Sequence, residues 1–459
     1  MIVKIKAVNR GSFDLIVCGG GVAGIAAAIT AGRSGMKVAI IEASGCFGGT
    51  ATSGRVSHLL GGRRWDAFSH TMVREIGGLF DELTDRLINE GKAIDPDTIN
   101  VEWNPFGWYP RMAAGIACDN EYLKCLFDSM LIESGVTSFL LTRVVAVKMA
   151  DGSKITDVVL HGKDGFFSLS APLFIDATGD GDFATICGCP MEKGRQEDGL
   201  MTPSSLIMHL DHVDGDTLVA YQNRHQSPKL VEIIKELQQK GIWDFPFDIF
   251  VTVQLNDKDV FMVNTLRQTG VDGTDTVSIT KALMDGRKES LKLFGIIKEY
   301  FPGFSRARIR LLGDSVGIRE TRRIVGISHV TLSDALSGRR YPDEIGKTTY
   351  NFDLPDPLKP SYDPMMGNAS YPQSERTHVA IYVPYGALVP RGVKNLIACG
   401  RLASVDREVL GALRVMGPCM MLGQAAGFAS VVALSEGLDY AEVDGRVVRT
   451  MLVDAGCLL

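Results

Sequence analysis

The sequence lacks the cysteine pairs that build metal cages and disulfide frameworks. Its nine cysteines are an odd number scattered over 459 residues, no C-x-x-C pair occurs, and the closest neighbours are Cys187 and Cys189. Structural zinc and iron–sulfur sites use tighter, repeated spacing, and disulfide-stapled folds are usually short secreted chains. We therefore expect no protein-bound metal and no disulfide framework.

Signals for nucleic acid, membrane and secretion are also missing. The 48 Lys and Arg against 54 Asp and Glu give a net charge of −6, and no basic block indicates a nucleic-acid partner. We find no long uncharged apolar run of the kind that a membrane span requires. The start, MIVKIKAVNRGSFD, has no cleavage pattern of a signal peptide. These absences favour a cytoplasmic protein with no membrane span and no nucleic-acid partner.

What is present indicates a globular α/β protein. Hydrophobic residues make up 45% and charged residues 22% of the chain, a composition that can bury a large core. The run FDLIVC at residues 13–18 is typical of a buried strand and ends in three glycines. The Ala-rich segment after it predicts a helix, and KVAIIE predicts a second buried strand. This β–turn–α–β order predicts an open, doubly wound parallel sheet.

The first glycine motif is Gly19-x-Gly21-x-x-Gly24, at the junction of that strand and helix. Gly19 permits a tight turn, Gly21 lets a pyrophosphate approach the backbone, and Gly24 allows close helix–strand packing. Eighteen residues later Glu42 ends the second strand, where it can bind both ribose hydroxyls. The pattern predicts a dinucleotide site and disfavours NADP. The alternative is a glycine-rich turn without a ligand.

A second glycine-rich loop, GCFGGT at residues 45–50, follows Glu42 directly. Simple NAD dehydrogenases do not need such a loop at this place, and its small residues leave room for a large, flat group. The loop therefore favours FAD over NAD. The alternative is an ordinary flexible turn.

Two later segments complete the pattern. The run DATGDGD at residues 176–182 follows a buried strand, and ligands of open α/β sheets bind at such carboxyl ends. Gly400 and Arg401 follow the last predicted strand, and a helix rich in small residues begins near Gly417 and Pro418. The N-terminus of that helix would stabilise negative charge on a reduced flavin. The alternative is tight helix packing alone, and both can hold together.

These motifs, in this order, resemble FAD-dependent oxidoreductases of the two-dinucleotide-binding flavoprotein superfamily, with distant kinship to glutathione reductase and fumarate reductase. The resemblance covers the chain from end to end and is weakest over residues 216–375. The segments that show the resemblance are DLIVCGGGVAGIAAAITAGRSG, GGTATSG, LFIDATGDGD, GIRETRRIVG and NLIACGRLASVDREVLGALRVMGPCMMLGQAAG. It implies an enzyme with FAD as cofactor. The chain lacks the iron–sulfur cysteines of some relatives and the redox cysteine pair of disulfide reductases, since Cys46 has no partner five residues on.

The resemblance also implies which residues hold FAD. The pyrophosphate and adenosine-ribose set would be Gly19, Gly21, Gly24 and Glu42. The flavin side would be lined by Gly48, Gly49 and Thr50, and adenine would meet the backbone of Val144. The adenosine half would be lined by Ala177, Thr178 and Gly179. The set that closes around the phosphates and ring would be Gly400, Arg401, Met420 and Met421.

The predicted architecture is a Rossmann-like FAD-binding domain with an inserted mixed α+β domain. We place the FAD domain at residues 10–215 and 376–459, and the substrate or cap domain at 216–375. Within the FAD domain, residues 63–135 predict mostly helix and the segment that follows predicts a β-meander. A Pro-rich stretch closes the inserted domain and predicts a long extended loop.

Three residues are candidates for catalysis. His58 follows the second glycine loop and could act as general base, although a structural histidine is the alternative. Arg319 could anchor a carboxylate on a helix face shared with Arg323, and ion pairing with Glu320 or Asp314 is the alternative. Arg414, between the two closing motifs, is expected near the flavin ring.

The expected reaction is hydride transfer from a small organic substrate to flavin N5. One rival is an FAD enzyme that NAD(P)H reduces, acting as a reductase or monooxygenase. The inserted region has no second dinucleotide motif to support it. Another rival is a non-catalytic electron-carrier subunit, which the mean hydropathy of +0.09 leaves open. A homo-oligomer or an electron-transfer partner is compatible with each of these.

Overall fold

A parallel sheet forms the centre of the part of the chain that is predicted to bind FAD. The computed structural model describes residues 6–66, 69–99, 114–225, 227, 229–358 and 380–459. The central sheet has the order β21-β12-β2-β3-β8, and its neighbouring strands are all parallel. Its strands are β2 (Leu15–Cys18), β3 (Val38–Ile41), β8 (Thr137–Phe139), β12 (Leu173–Asp176) and β21 (Leu396–Ala398).

Helices cover one face of this sheet and the predicted meander covers most of the other, so the inner strands are apolar except at Asp176. All four residues of β2, β3 and β12 are buried, as expected for parallel strands with both faces covered. Between β2 and β3 runs helix α1 (Val22–Arg33), which confirms the predicted β–turn–α–β unit. The predicted α/β fold class is therefore correct.

The predicted meander is a second sheet beside the first. Its order is β1-β11-β10-β9, and β9, β10 and β11 are antiparallel neighbours in sequence order. The strands are β1 (Val8–Ser12), β9 (Arg143–Met149), β10 (Ile155–Gly162) and β11 (Gly165–Ser170).

A third sheet, with four strands, is formed by residues between positions 208 and 312. Its order is β15-β16-β14-β17, with antiparallel neighbours. The strands are β14 (Met208–Asp211), β15 (Thr252–Gln254), β16 (Phe261–Val263) and β17 (Arg308–Leu312). The domain boundaries stay a prediction, and the one at 375/376 lies outside the described residues.

The remaining strands form two-stranded pairs around these sheets. They are β4 (His58–Leu59) with β7 (Ile116–Ala117), β5 (Arg63–Asp66) with β6 (Thr71–Arg74), β13 (Met191–Lys193) with β18 (Arg322–Ile324), and β19 (Glu344–Thr348) with β20 (Ile381–Pro384).

The helices of the described residues complete the layers. After α1 they are α2 (Gly78–Asn89), α3 (Asn120–Glu133), α4 (Asp182–Ile186), α5 (Gly215–His225), α6 (Val231–Gln239), α7 (Thr276–Tyr300), α8 (Leu332–Ser337), α9 (Arg407–Leu413), α10 (Met416–Glu436) and α11 (Gly445–Asp454).

The helix prediction for residues 63–135 is wrong at its start. The segments Arg63–Asp66 and Thr71–Arg74 form a hairpin, and α2 begins only at Gly78. Both Gly77 and Gly78 have positive φ, which interrupts a continuous helix, and β-branched Thr71 and Val73 suit a strand. Residues 67–68 and 100–113 of that prediction, and most of the Pro-rich stretch, lie outside the described residues.

One helix corrects the expectation about apolar runs. Within the described residues α10 is long and apolar enough to cross a membrane, but 83% of its most apolar window is buried inside the protein. It packs on α1 in the main hydrophobic core, as a core helix of a globular protein does. All nine cysteines are free thiols, and no cluster of metal-ligating side chains occurs among the described residues.

Candidate active site

The first glycine loop leaves an open space at the N-terminus of α1. A Cβ on Gly19, whose φ is +107°, would lie 2.4 Å from the carbonyl oxygen of Ala177, and a Cβ on Gly24 would lie 1.9 Å from that of Gly19. These two glycines let the backbones pack in contact. At Gly21, the N-cap of α1, no atom of the described residues lies within 4 Å of a Cβ position. A free helix N-terminus with room beside it fits a pyrophosphate.

Glu42 joins the two glycine loops at the end of β3. Its Oε2 accepts a hydrogen bond from the Gly20 amide at 2.7 Å, and its Oε1 accepts one from the Ser44 amide at 2.6 Å. The Gly48 amide in turn donates to the Gly20 carbonyl at 2.8 Å, so the second loop lies on the first. A carboxylate offers about four acceptor positions, which leaves capacity for ribose hydroxyls.

The other FAD-side residues lie along the same edge of the sheet. Gly49 follows Gly48 with a positive φ of 55°, and Thr50 lines the large cleft described below. Val144 is half-buried on β9, two residues after Thr142, whose amide donates to the Glu42 carbonyl at 2.9 Å.

The segment after β12 is a turn organised by Asp176. Its Oδ1 accepts hydrogen bonds from the Thr178 amide and hydroxyl, and its Oδ2 accepts one from the Ala184 amide at 2.7 Å. Burial raises the pKa of Asp176 to about 6, while these three hydrogen bonds oppose that shift by stabilising the carboxylate. Asp176 thereby fixes the positions of Ala177 and Thr178, and Gly179 follows with positive φ.

Arg401 presents a buried donor next to this turn. Its Nη2 donates to Asp180 Oδ1 at 3.1 Å, and a Cβ on Gly179 would lie 2.6 Å from the same nitrogen. Its Nη1 is buried and has no hydrogen-bond partner among the described residues. A buried donor without an acceptor is costly, and a phosphate oxygen would satisfy it. Arg401 and the open space at Gly21 are the two observations on which the residues present fit FAD.

The small residues of α10 serve helix packing. A Cβ on Gly423 would lie 2.1 Å from the Ala23 carbonyl oxygen of α1. Met420 and Met421 are buried, and the Lys347 amide donates to the Met421 sulfur at 3.3 Å. A Cβ on Gly400 would lie 3.0 Å from the Ala23 Cβ. Close packing, the alternative considered for this helix, is therefore present, and the N-terminal end of α10 still reaches the cleft through Val415 and Met416.

A cleft lies between the FAD-side loops and one end of the third sheet. Residues far apart in sequence line it together. Among the predicted site residues these are Thr50, His58, Arg319, Arg401 and Arg414. All three predicted catalytic residues therefore face one space.

His58 is buried in the wall of this cleft. It is 2% exposed on β4, and a Cβ on Gly115 would lie 2.1 Å from its Nε2. Gly115 therefore provides the room that the imidazole occupies.

Arg319 is held by neutral acceptors at its edge of the cleft. Its Nη1 donates to the Pro203 carbonyl at 2.6 Å and its Nη2 to Ser205 Oγ at 2.9 Å. The predicted helix face shared with Arg323 is wrong, because Arg322–Ile324 is strand β18, paired with β13. The pairing of this strand, which joins distant parts of the chain, overrides the local helical spacing.

Of the two acids considered as ion-pair partners of Arg319 and its neighbours Arg322 and Arg323, Glu320 lies 4.0 Å from Arg323 through Oε2. Asp314 Oδ2 accepts from Arg55 at 2.8 Å, and Glu320 Oε1 accepts from Arg407 at 2.6 Å.

Arg414 forms hydrogen bonds and an ion pair with Asp353, a cleft residue that the sequence did not indicate. Arg414 donates to the Asp353 carbonyl through Nε at 3.1 Å and through Nη2 at 2.5 Å, and Nη2 lies 3.2 Å from Oδ2. Tyr350 donates to the same Oδ2 at 3.4 Å. Oδ1 is buried without a hydrogen-bond partner among the described residues. The cleft therefore contains an acceptor oxygen on a side chain whose other atoms are fixed.

Arg267 and Ser205 also line the cleft without having been anticipated. Arg267 is 5% exposed and its Nη1 donates to Ser205 Oγ at 3.0 Å. Both lie in the part of the chain where no motif marks individual residues, so only the folded arrangement reveals them.

Comparison with known proteins gives the family of the chain. No curated protein matches significantly. Solved structures that align with it include a geranylgeranyl bacteriochlorophyll reductase-like protein from Thermoplasma acidophilum, at 11% identity over 97% of this chain and 84% of that one, with a TM-score of 0.48. Another is p-nitrophenol 4-monooxygenase from Pseudomonas putida, at 12% identity over 98% and 86%, with a TM-score of 0.48. These values are too low to assign a reaction.

The family model described as FAD dependent oxidoreductase matches residues 14–452. The match begins at the strand before the first glycine loop and ends within α11, so it includes both glycine loops and every residue of the cleft. The chain therefore belongs to the FAD-dependent oxidoreductase family, and it is an enzyme whose cofactor is FAD.

Proposed function

We propose that this enzyme oxidises a small organic substrate by hydride transfer to FAD, with the substrate bound in the cleft. The carrying observation is that His58, Arg319 and Arg414, from distant parts of the sequence, line one cleft together with Thr50 and Arg401 of the FAD side. A substrate in this space lies between the cofactor loops and the third sheet. The substrate class is an alcohol, an amine or a C–H group next to a carbonyl.

The FAD would be held by the residues named from the sequence. Gly21 offers the open helix N-terminus to the pyrophosphate, Glu42 offers its carboxylate to the ribose, and Arg401 offers its buried Nη1 to a phosphate oxygen. When bound, FAD supplies the hydride acceptor. The order of these motifs along the chain also supports our proposal that the protein belongs to the two-dinucleotide-binding superfamily.

The residues of the cleft would each have a separate role in the reaction. His58 is the proposed acceptor of the proton that leaves the substrate with oxidation, since it is the imidazole in the cleft wall. Arg319 would bind a substrate oxygen. Arg414 would act through Asp353, because its donors are directed to that residue, and it is therefore a positioning residue.

The first test is anaerobic bleaching of the flavin absorption bands of the holoenzyme. We expect no bleaching with NADH or NADPH, and bleaching with members of a panel of small alcohols, amines and hydroxy acids. Bleaching by either nucleotide would favour the reductase or monooxygenase alternative. A flavin that no donor in the panel and neither nucleotide reduces would favour the electron-carrier alternative.

The second test asks which group accepts the proton. With a donor from the panel, we expect His58→Asn to slow bleaching about 100-fold, the usual contribution of a general base, while FAD content stays unchanged. His161→Asn is the matched control, because His161 is exposed on β10. If Asp353→Asn slows bleaching more than His58→Asn does, the proton acceptor is Asp353 and our assignment is wrong.

A further inference from the structure

Two arginine side chains converge on one serine hydroxyl inside the cleft. Arg267 Nη1 and Arg319 Nη2 donate to Ser205 Oγ at 3.0 and 2.9 Å, and Ser205 Oγ donates to the Leu266 carbonyl at 2.8 Å. A hydroxyl has one proton and two lone pairs. All of its hydrogen-bonding capacity is therefore used, and Ser205 holds the two guanidinium groups close to each other. Arg267 Nη1 is also held by the carbonyls of Asn264 and Leu266, each at 3.0 Å.

This arrangement brings two like charges close together away from water. Because both nitrogens contact one oxygen, they lie within about 6 Å of each other, where like charges repel. Arg267 is 5% exposed and Ser205 is 1% exposed, so solvent screens this repulsion poorly. A fold that holds two cations in this way is stabilised when an anion binds between them.

The other arginines of the cleft wall are paired with carboxylates. Arg401 Nη2 donates to Asp180 Oδ1 at 3.1 Å, and Arg414 Nη2 lies 3.2 Å from Asp353 Oδ2. Asp353 is the one carboxylate among the described lining residues of the cleft. Because that carboxylate is paired with Arg414, it does not offset the positive charge of Arg267 and Arg319.

We infer that Arg267 and Arg319, oriented by Ser205, bind a carboxylate group of the substrate. The planar fork of a guanidinium matches the two oxygens of a carboxylate. The inference rests on the proposed function only in taking this cleft as the substrate site, and it narrows the substrate class to small organic acids. The group that is oxidised would lie elsewhere on the same molecule.

The test measures binding in the FAD-loaded enzyme without requiring turnover. Acetate, propionate and benzoate are titrated at constant ionic strength, each beside its neutral amide, and the bound flavin spectrum and the Tm are followed. We expect at least one carboxylate to give a saturable change and its amide to bind at least tenfold more weakly.

Substitutions then locate the site. Arg267→Met and Arg319→Met are each expected to weaken carboxylate binding at least tenfold, and Ser205→Ala, which keeps both charges, to weaken it about threefold. Arg310→Met is the matched control, since Arg310 is exposed on β17 and pairs with Asp257. FAD content and Tm of each variant check that it is folded. If the arginine variants do not fold, Ser205→Ala alone decides.

The outcomes separate this inference from the proposed function. No saturable change with any carboxylate, equal binding of the amides, or unaltered binding by the folded variants would overturn the inference. If neutral alcohols or amines bleach the flavin while carboxylates do not bind, only the inference fails. If carboxylates bind at Arg267 and Arg319 but no organic donor reduces the flavin, only the proposed function fails.

Discussion

Replacing Gly21 with alanine should weaken FAD binding while leaving the apoprotein folded. The added methyl meets no atom of the described residues within 4 Å, and the φ of −71° suits alanine. Alanine is a poorer N-cap than glycine, which costs about 1 kcal/mol or less. In contrast, the Cβ of Gly24→Ala would lie 1.9 Å from the Gly19 carbonyl oxygen, so this variant must move the backbone of the apoprotein itself.

The loss of affinity follows from the space that the methyl fills. If the pyrophosphate approaches Gly21, the methyl overpacks that contact, and overpacking costs about 1–3 kcal/mol. This corresponds to roughly 5- to 150-fold weaker FAD binding. For Gly24→Ala we expect a similar or larger loss of stability in the apoprotein, before any ligand is added.

The assay combines thermal unfolding of the apoprotein with FAD titration by flavin fluorescence. Gly295→Ala is the matched control, because a Cβ at Gly295 on α7 meets no described atom within 4 Å and that position is outside the FAD region. We expect this control to keep full FAD affinity. If Gly21→Ala binds FAD within twofold of the wild type, the pyrophosphate does not lie at Gly21 and the reasoning is refuted.

Two further predictions concern stability. Burial lowers the pKa of His209 to about 4, whereas a histidine in the unfolded chain titrates at about 6.5. As the pH falls from above 6.5 to below 4, the unfolded chain takes up this proton first, and the free energy of unfolding therefore decreases by about 3 kcal/mol. His209→Gln should remove this part of the pH dependence of chemical unfolding, and an unchanged difference between pH 7 and pH 4 would contradict it. The raised pKa of Asp176 changes the free energy of unfolding with pH in the opposite direction. This contribution is the same in the wild type and in His209→Gln, so it cancels when the two are compared. Gly423→Ala should lower the free energy of unfolding by about 1–3 kcal/mol or more, because its Cβ would lie 2.1 Å from the Ala23 carbonyl oxygen. A loss no larger than that of Gly295→Ala would show that α1 and α10 can move apart to accept the methyl group.

The features that the sequence predicts correctly are those encoded within short segments. The strand, glycine loop and helix from Leu15 to Arg33 follow from an apolar run, three glycines and an Ala-rich stretch in direct succession. The meander of β9 to β11 follows from alternating apolar residues and turn signals. In each case the local signals identify the element, even where packing partners such as β12 beside β2 lie far away in sequence.

The features that it misses depend on pairings that the local sequence pattern does not specify. Apolar spacing around residues 63–74 suggests a helix, yet the two halves of that segment pair with each other as strands. Arg322–Ile324 likewise pairs with a strand about 130 residues earlier. Arg267 and Asp353 gain their significance only because folding brings them to the wall that His58 also lines. No pattern in a single sequence identifies residues that are brought together in this way.

Arg414 shows how a predicted site residue can have a different role from the expected one. The sequence suggests a residue near the flavin ring, and the side chain does line the cleft, but its donors are bound to Asp353. Because Arg414 holds the Asp353 carbonyl and lies beside Oδ2, the group left to interact with a ligand is the buried Oδ1. The same argument applies to Ser205, whose saturated hydroxyl contributes no donor of its own and instead aims two guanidinium groups. The internal hydrogen bonds of this cleft therefore set its chemistry, because they leave Asp353 Oδ1 as an acceptor and orient two guanidinium groups on one serine hydroxyl.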